Sequence, residues 1–251
     1  MILPANWPAH LNVQAGTTMR TNGFSSGRFA SNNFSFNVGD APALVQQNQE
    51  QWLAHFSQPV NYSPLQQVHR SKVIRLPCDE KLPSADACFT LDKNQLCSVM
   101  TADCLPILLS HEENLFAAAI HGGWRSLAQN IIEKTLNSIE LALYKLQKTL
   151  QMSQVYAWLG PAISQKNFIV GEEVKAAFVI LDTDNDEAFH PLDQGYYRAD
   201  LYKIASIALA KKGVNLIYSH YHCTVEQQQK YYSYRRDRDT GRMISFIKMN
   251  D

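Results

Sequence analysis

Residues 97–125 read CSVMTADCLPILLSHEENLFAAAIHGGWR, and they contain the clearest structural pattern in the chain. The apolar run over 97–110 is interrupted by the polar word TADC at 101–104. A second continuous run, LFAAAI at 115–120, is followed by HGGWR, which begins at His121. Short apolar runs bounded by turn residues are typical of buried strands. We therefore predict three strands here, each starting or ending at one of these polar words.

The segments on either side alternate between helix and strand patterns. From Ser126 to Leu150, apolar residues recur at steps of three to five, which predicts one continuous amphipathic helix. Asp40 just before Pro42 predicts another helix start, with Asp40 as the N-cap. Further predictions are helices over 172–181 and 199–211 and strands over 155–159, 214–218 and 243–247. Because several strands are hairpin-like, we predict an α+β fold with mixed β-sheets and outer helices.

The composition is that of a globular protein without a dominant charge. Of the 251 residues, 45% are hydrophobic and 18% charged, which is enough apolar sequence for a substantial core. No repeat or composition break marks a boundary, so we predict one domain over 1–251. Lys plus Arg and Asp plus Glu both number 23. This balance argues against a nucleic-acid partner, because nucleic-acid binding usually requires a basic excess.

The sequence also lacks the usual signals for membrane insertion and secretion. No run approaches 18 apolar residues, so no membrane partner is predicted. The first residues, MILPANWPAH, have neither the basic start nor the apolar core of a signal peptide, which favours a cytoplasmic location. The five cysteines are odd in number and widely spaced, without a C-x-x-C word. We therefore expect reduced thiols rather than a disulfide framework.

Three metal-binding residue types lie at predicted strand ends. His69 follows a short extended segment, Cys104 lies in the break after the first strand, and His121 follows LFAAAI. Side chains at the ends of adjacent strands converge even when they are far apart in sequence. Two His and one Cys suit zinc, with a fourth position left for water or substrate. The alternative is that each histidine is a core residue with a satisfied hydrogen bond.

The residues after His121 suggest a ligand beside such a metal. Gly122 and Gly123 allow the backbone to approach a bound molecule closely. Trp124 offers a stacking face, and Arg125 offers a guanidinium fork that matches phosphate. Together these groups suit a nucleoside with phosphate. The alternative is an ordinary strand-to-helix turn with Arg125 near the start of the following helix.

Short sequence words in a fixed order extend along nearly the whole chain. They are TMRTNGFS at 18–25, VGD at 38–40, QVH at 67–69, ADA at 85–87, TADCLP at 101–106, HGGWRS at 121–126, WLGPAI at 158–163, FIVGEEV at 168–174, CT at 223–224, SYRRD at 233–237 and TGRM at 240–243. Together they resemble the YfiH-type, laccase-domain family, whose members are also known as polyphenol oxidases. The sequence departs from the family pattern at Gly122, Ser126 and His222.

The resemblance implies both a fold and an activity. It implies one α+β domain with α/β/β/α layers. It implies that His69, Cys104 and His121 are metal ligands and catalytic residues, with zinc, or alternatively copper, as the metal. The implied substrates are purine nucleosides and inorganic phosphate. The implied reactions are phosphorolysis of adenosine, inosine, guanosine and methylthioadenosine to the base and a ribose 1-phosphate, and deamination of adenosine to inosine.

These reactions need a proton carrier and cations that bind phosphate. Asp103, next to Cys104, is a candidate catalytic residue for proton transfer, or it orients a ligand histidine instead. Arginine forks match phosphate, and the candidates for phosphate or nucleoside binding are Arg20, Trp124, Arg125, Arg235 and Arg236. The alternative for the last two arginines is a solvated turn in which they pair with nearby aspartates.

Other functions fit some of the same residues. A multicopper oxidase needs roughly ten histidines, many in H-x-H pairs, whereas this chain has eight histidines and one such pair at 220–222. A single copper at the His2Cys site is still compatible with the ligand set. A metal-free hydrolase or amidase would use Cys104 as the nucleophile and His121 as the base. A metal-containing binding protein without turnover is a third alternative, and the oligomeric state is open.

Overall fold

The computed structural model describes residues 1–250. The strands are β1 (Ile2–Pro4), β2 (Val13–Thr18), β3 (Asn61–Tyr62), β4 (Val73–Leu76), β5 (Ala87–Thr90), β6 (Gln95–Thr101), β7 (Leu105–His111), β8 (Ala117–Gly122), β9 (Val155–Leu159), β10 (Ile169–Gly171), β11 (Phe189–Pro191), β12 (Tyr196–Ala199), β13 (Leu216–Ser219) and β14 (Met243–Met249). The α-helices are α1 (Pro42–Leu53), α2 (Trp124–Leu127), α3 (Ile131–Tyr144), α4 (Glu172–Leu181), α5 (Leu201–Lys211) and α6 (Tyr234–Asp237).

These strands form two large sheets and one small sheet. The five-stranded sheet has the order β1-β2-β14-β6-β3, and the six-stranded sheet has the order β13-β9-β7-β8-β5-β4. A separate three-stranded sheet has the order β10-β12-β11. Most neighbours are antiparallel, but β3–β6, β4–β5 and β9–β13 are parallel. The prediction of an α+β fold with mixed sheets is therefore confirmed.

The two large sheets face each other, and helices cover their outer surfaces. Successive residues of a strand point to opposite faces, so β8 contributes Ala117 and Ala119 to the core between the sheets. Ala118 and Ile120 of the same strand pack in the core beneath the outer helices. That core also contains Leu136 of α3 and residues of α4 and α5. This arrangement provides three of the implied α/β/β/α layers.

The fourth layer is α1, which covers the five-stranded sheet. The Trp52 ring lies edge-on to Phe246 of β14, with ring centroids 5.4 Å apart, and also contacts Phe34 and Phe56. On the other face of β14, Ile247 points into the core between the sheets. Burying one such apolar side chain stabilises the fold by roughly 1.5–3 kcal/mol. The layers implied by the family resemblance are confirmed.

The long helix predicted from Ser126 to Leu150 is wrong. The chain forms the short α2 and the longer α3 instead, with a break at Asn130, whose φ is 60°. Asn tolerates this left-handed conformation better than most residues because its side chain hydrogen-bonds locally. Helix α3 ends at Tyr144, although the apolar spacing in the sequence continues to Leu150.

Two predicted helix starts also differ from the structure. The N-cap of α1 is Ala41, not Asp40, and Pro42 is the first residue of the helix. The Asp40 carboxylate accepts hydrogen bonds from the Asn33 side chain and the Ala41 N–H instead. The last long helix begins at residue 201 rather than 199 because Asp200 caps it. Within residues 1–250, no helix combines the length and apolar character needed to cross a membrane.

Candidate metal centre and adjoining cavity

The β7–β8 hairpin brings Cys104 and His121 to one end of the six-stranded sheet. Strands β7 and β8 are antiparallel, with Pro106 opposite His121, and Cys104 directly precedes β7. His121 lies near the end of β8, so the two side chains share one sheet edge. Strand β5 pairs with the other side of β8, and the His121 N–H donates to the Asp86 carbonyl over 2.8 Å. The predicted convergence at strand ends occurs at this edge.

His69 completes a cluster of three metal-binding side chains. Ligand atoms of His69, Cys104 and His121 all lie within 4.8 Å of one another. The Cys104 Sγ is 3.9 Å from His69 Nε2, and the two imidazole rings lie edge-on with centroids 4.7 Å apart. His121 is buried, Cys104 is partly buried and His69 is exposed. One side of the cluster is therefore open to the cavity and to solvent.

Asp86 is the buried group that fixes this cluster. Its carboxylate accepts a 2.8 Å hydrogen bond from His121 Nδ1 and the backbone N–H groups of Val68, His69 and Arg70. Burial alone would raise the pKa of Asp86, but hydrogen bonds from His121 and from the backbone hold it below its usual value. The Nδ1 contact to Asp86 leaves Nε2 as the ring nitrogen that faces a metal, once the imidazole has lost its second proton.

Gln67 anchors the His69 loop to the five-stranded sheet. Its side-chain oxygen accepts from the Met100 N–H over 2.6 Å, and its side-chain N–H donates to the Met100 carbonyl over 2.8 Å. Strand β3 pairs with β6 only at Gln95 and Leu96, so it does not reach Met100. The Gln67 amide takes the place of a neighbouring strand there. The loop is thereby held at a fixed distance from Cys104.

The donor set and the space around it fit a metal ion. A Cβ at Gly123 would lie 3.1 Å from His69 Cδ2 and 3.3 Å from Cys104 Sγ, so only glycine leaves the cluster uncrowded. Burial alone would raise the pKa of the Cys104 thiol, but the charges of His121 and His69 and their hydrogen bonds lower it to about 6. A thiolate and two imidazoles are established zinc ligands. Within residues 1–250 this is the one cluster of its kind.

A cavity of about 510 Å³ adjoins the three ligand residues. Its walls include Trp124, Phe168 and Tyr234, which provide aromatic surface, and three arginines at 125, 235 and 242. The Arg125 guanidinium stacks over the Trp124 ring, with its central carbon 4.4 Å from the ring centroid. Pockets of this size accommodate small organic ligands. The combination of aromatic faces and cations suits a planar ligand with an anionic group.

Comparison with known proteins identifies the chain by family. The family model described as multi-copper polyphenol oxidoreductase laccase matches residues 14–250. The chain belongs to this laccase family. The resemblance to the YfiH-type, laccase-domain family is thus confirmed.

Relatives within the laccase family align over almost the whole chain. A Haemophilus influenzae purine nucleoside phosphorylase is 38% identical over 244 residues, which cover 96% of each chain. The Escherichia coli purine nucleoside phosphorylase YfiH is 35% identical, with 98% of each chain covered. A solved structure of a Neisseria meningitidis protein superposes with a TM-score of 0.91 at 36% identity, covering 100% of this chain and 99% of that one. These solved coordinates share the layered fold.

Asp103 lies in the cavity wall but does not touch the ligand histidines. Its carboxylate accepts 2.6 Å hydrogen bonds from the Thr224 hydroxyl and the Arg235 backbone N–H. Its φ of 97° places it in the left-handed region, which is rare for a residue other than glycine. The orienting contact considered for Asp103 is made to His121 by Asp86 instead. Its second predicted role, proton transfer, stays a prediction.

The four predicted phosphate-binding arginines divide into two groups. Arg125 and Arg235 line the cavity, whereas Arg20 and Arg236 bond to backbone carbonyls elsewhere. The Arg20 guanidinium donates to the Ala30 and Gln228 carbonyls and stacks on Tyr232. The hydrogen-bonding edge and one face of this guanidinium are therefore used within the protein, and Arg20 does not line the cavity.

Arg236 is similarly occupied. Its guanidinium donates to the Thr224, Val225 and Tyr231 carbonyls and forms a 2.6 Å ion pair with Asp237. This agrees with the alternative interpretation, in which the arginine belongs to a turn and pairs with an aspartate. Because its guanidinium bonds to these partly buried carbonyls, Arg236 stabilises the turn rather than the cavity.

Sequence reasoning assigned no role to Gln67, Asp86 or Arg242. Each lies within a recognised word, QVH, ADA or TGRM, so the signal was present. The roles were missed because they depend on pairing between segments that are distant in sequence. Asp86 meets His121 only because β5 lies beside β8.

Proposed function

We propose that the chain is a zinc-dependent purine nucleoside phosphorylase that also deaminates adenosine to inosine. The proposed phosphorolysis substrates are adenosine, inosine, guanosine and methylthioadenosine. The observation that carries the proposal is the open His2Cys cluster beside a cavity with aromatic faces and arginines. The names of the aligned relatives support the phosphorylase part.

His69, Cys104 and His121 would hold the zinc ion through Nε2, Sγ and Nε2. When bound, zinc supplies a Lewis acid at the end of the cavity. Asp86 keeps the His121 ring oriented, and the low pKa of Cys104, about 6, keeps its sulfur ionised at neutral pH. Burial alone would lower the pKa of His121, but the charges of Cys104 and Asp86 and their hydrogen bonds raise it to about 9, so zinc binding at neutral pH would displace a proton from this imidazole.

Phosphorolysis needs a base-binding face and a phosphate-binding face. The Trp124 and Phe168 rings are the proposed contacts for the purine, since aromatic rings stack on flat bases. A hydrogen phosphate oxygen bonds to C1′ of the ribose while the C1′–N9 bond breaks. The proton of the phosphate ends on the purine nitrogen. Arg125 and Arg235 are positioned in the cavity wall to attract the dianion.

Deamination replaces the 6-amino group of adenine with oxygen from water, and a proton must reach the leaving ammonia. Asp103 is the proposed proton carrier because its carboxylate lines the cavity beside Cys104. Its hydrogen bonds from Thr224 and Arg235 fix the carboxylate in one position. A fixed carboxylate is the usual general acid–base group of zinc deaminases.

One observation favours a second candidate function, a metal-free thiol hydrolase or amidase. Cys104, His121 and Asp86 form a chain of nucleophile, base and orienting carboxylate, which is the arrangement of cysteine hydrolases. A chelator would not inhibit such an enzyme, whereas alkylation of Cys104 would abolish its activity. A zinc phosphorylase is inhibited by the chelator and recovers with added zinc.

The copper oxidase alternative has less support. Multicopper oxidation requires several separate groups of metal ligands, and residues 1–250 contain one group of three. A single copper at His69, Cys104 and His121 is compatible with the donor types. Metal analysis and assay of the zinc-loaded and copper-loaded protein with adenosine and with a phenol separates these alternatives.

The deciding experiment is chromatography of the products formed from adenosine with and without phosphate. We expect phosphate-dependent adenine, together with inosine or hypoxanthine, and loss of all products in H121A and C104A. H55A and C78A are matched controls, because His55 and Cys78 belong neither to the cluster nor to the cavity lining. Absence of turnover in zinc-loaded wild-type protein would refute the proposal.

A further inference from the structure

Arg242 lies beside the metal centre through strand pairing. It directly precedes β14, whose first residue, Met243, pairs with Thr101 at the end of β6. Thr101 is also the first residue of the TADC word, which ends at Cys104. Arg242 therefore lies next to the segment that carries the cysteine ligand, and it lines the same cavity.

The backbone around Arg242 is fixed on both sides. Its N–H donates to the Asn33 side chain over 2.9 Å, and its carbonyl accepts from the Phe34 N–H over 3.2 Å. The preceding residue, Gly241, lies so close to Tyr232 that a Cβ would approach the ring to 2.7 Å. This close approach places the Arg242 backbone in one position.

The guanidinium of Arg242 is only partly used by the protein. Its Nη1 donates to the Thr240 and Gly241 carbonyls over 2.8 and 3.0 Å. Within residues 1–250, Nε and Nη2 make no hydrogen bond, and no carboxylate forms an ion pair with this arginine. The side chain is half-buried, and burial lowers the pKa of the guanidinium. The charges of Cys104 and Asp103 oppose this shift without a direct ion pair, so Nε and Nη2 keep donors that a bound anion can accept from.

The other two cavity arginines differ from Arg242. Arg125 is exposed and stacks over Trp124 at the cavity wall. Arg235 is exposed and donates to the Asn167 and Ile169 carbonyls. Both charges are screened by water, so each contributes less to anion binding than a half-buried charge. Arg242 combines shielding from water with unused donors.

Ser35 provides a neutral group next to this cation. It is buried, lines the cavity and follows the Asn33–Phe34 segment that pairs with the Arg242 backbone. Its hydroxyl accepts the Asn37 N–H over 3.3 Å, and its own proton is free to be donated to a ligand oxygen. An arginine fork with one hydroxyl donor matches a tetrahedral oxyanion.

We infer that Arg242, assisted by Ser35, binds the attacking phosphate and holds it within reach of the nucleoside. This inference rests on the proposed phosphorolysis and names the group that binds its second substrate. The phosphate oxygen forms the bond to C1′ as the C1′–N9 bond breaks, and the phosphate proton passes to the purine nitrogen. Arg242 remains protonated throughout.

The test compares phosphate dependence in R242Q, R242K and R75Q. We expect R242Q to raise the KM for inorganic phosphate about 10- to 100-fold while adenosine deamination without phosphate continues. R242K keeps the charge but loses the fork, so its phosphate KM should lie between those of R242Q and the wild type. Arg75 is exposed on β4 outside the cavity, and R75Q should match the wild type.

R125Q and R235Q distinguish the inference from its nearest competitors. An unchanged phosphate KM in R242K and R242Q, with a larger increase in R125Q or R235Q, would overturn it. Calorimetric titration of each folded variant with inorganic phosphate alone provides a binding measurement that does not depend on turnover. If the wild type forms no phosphate-dependent product yet binds phosphate through Arg242, the proposed phosphorolysis fails while the anion site stands. Equal phosphate affinity in wild type and R242Q would refute the site itself.

Discussion

The two walls of the cavity are built differently. On the metal-centre wall, Asp86 and Gln67 are held by several hydrogen bonds, and Asp86 and His121 are both buried. On the wall formed by Arg125, Tyr234 and Arg235, the side chains are exposed. The difference indicates that the candidate metal-binding side chains are held by buried hydrogen bonds without a ligand, whereas these arginines and Tyr234 are exposed to water. Removing a group from the fixed wall should therefore have the larger effect.

The largest expected effect comes from metal removal. Dialysis against a chelator should abolish adenosine turnover and lower the thermal midpoint, because the buried His121 and the Cys104 thiolate lose the charge that stabilises them together. Zinc should restore both activity and midpoint. Full activity in protein shown by elemental analysis to be metal-free would contradict the zinc proposal and favour the thiol enzyme.

Substitution D86A should have the next largest effect. It removes the acceptor for His121 Nδ1 and for three backbone N–H groups, so we expect zinc affinity to fall roughly 10- to 100-fold. Leaving buried donors unpaired should also lower the free energy of unfolding by roughly 1–3 kcal/mol or more. Competitive zinc titration and urea unfolding measure the two quantities.

The matched control for this substitution is D79N, since Asp79 is an exposed carboxylate outside the cavity. It should leave zinc affinity and unfolding unchanged. Wild-type zinc affinity in folded D86A would show that the ligand geometry does not depend on the buried carboxylate, and the contrast between the walls would disappear.

A smaller effect is expected on the aromatic surface. W124L removes the proposed stacking face and should raise the KM for adenosine about 5- to 100-fold, with the phosphate KM unchanged. W7L is the control, because Trp7 packs near the core between the sheets and does not line the cavity. Steady-state kinetics in both substrates give the comparison. A rise in the phosphate KM alone would contradict the proposed contact between Trp124 and the purine.

The smallest kinetic effect is expected for R236Q. Its guanidinium holds three backbone carbonyls rather than facing the cavity, so the phosphate KM should stay within about twofold of the wild type. The lost hydrogen bonds should lower the free energy of unfolding by about 1–3 kcal/mol. Kinetics and urea unfolding report these separately, and a tenfold rise in the phosphate KM would return Arg236 to the binding site.

The convergence of Cys104 and His121 was predictable because strand ends are visible in the sequence. Cys104 directly precedes β7 and His121 lies near the end of β8. The strand end predicted at His69 is wrong, because His69 lies in the loop between β3 and β4 with a φ of 56°. The strand prediction over 155–159 and the helix prediction over 172–181 match the structure for the same reason, since each run ends at a clear boundary.

Other features depend on contacts that the sequence does not display. Asn130 interrupts a well-spaced apolar pattern by adopting a left-handed conformation, and nothing in the spacing marks that break. Arg20 carries the right charge for phosphate, but its partners are the carbonyls of segments 10 and 208 residues away. Charge can be read from one residue, whereas the use of that charge depends on which backbone groups the fold brings to it.

The short pairing of β3 has a consequence for solubility. Because β3 ends at Tyr62, opposite Leu96 of β6, the rest of the β6 edge would present free backbone donors and acceptors to any extended peptide. The Gln67 amide occupies both groups of Met100 and closes that edge. The side chain that positions a ligand loop thus also protects the sheet from pairing with another chain. Loss of Gln67 would expose a template for aggregation at the mouth of the cavity.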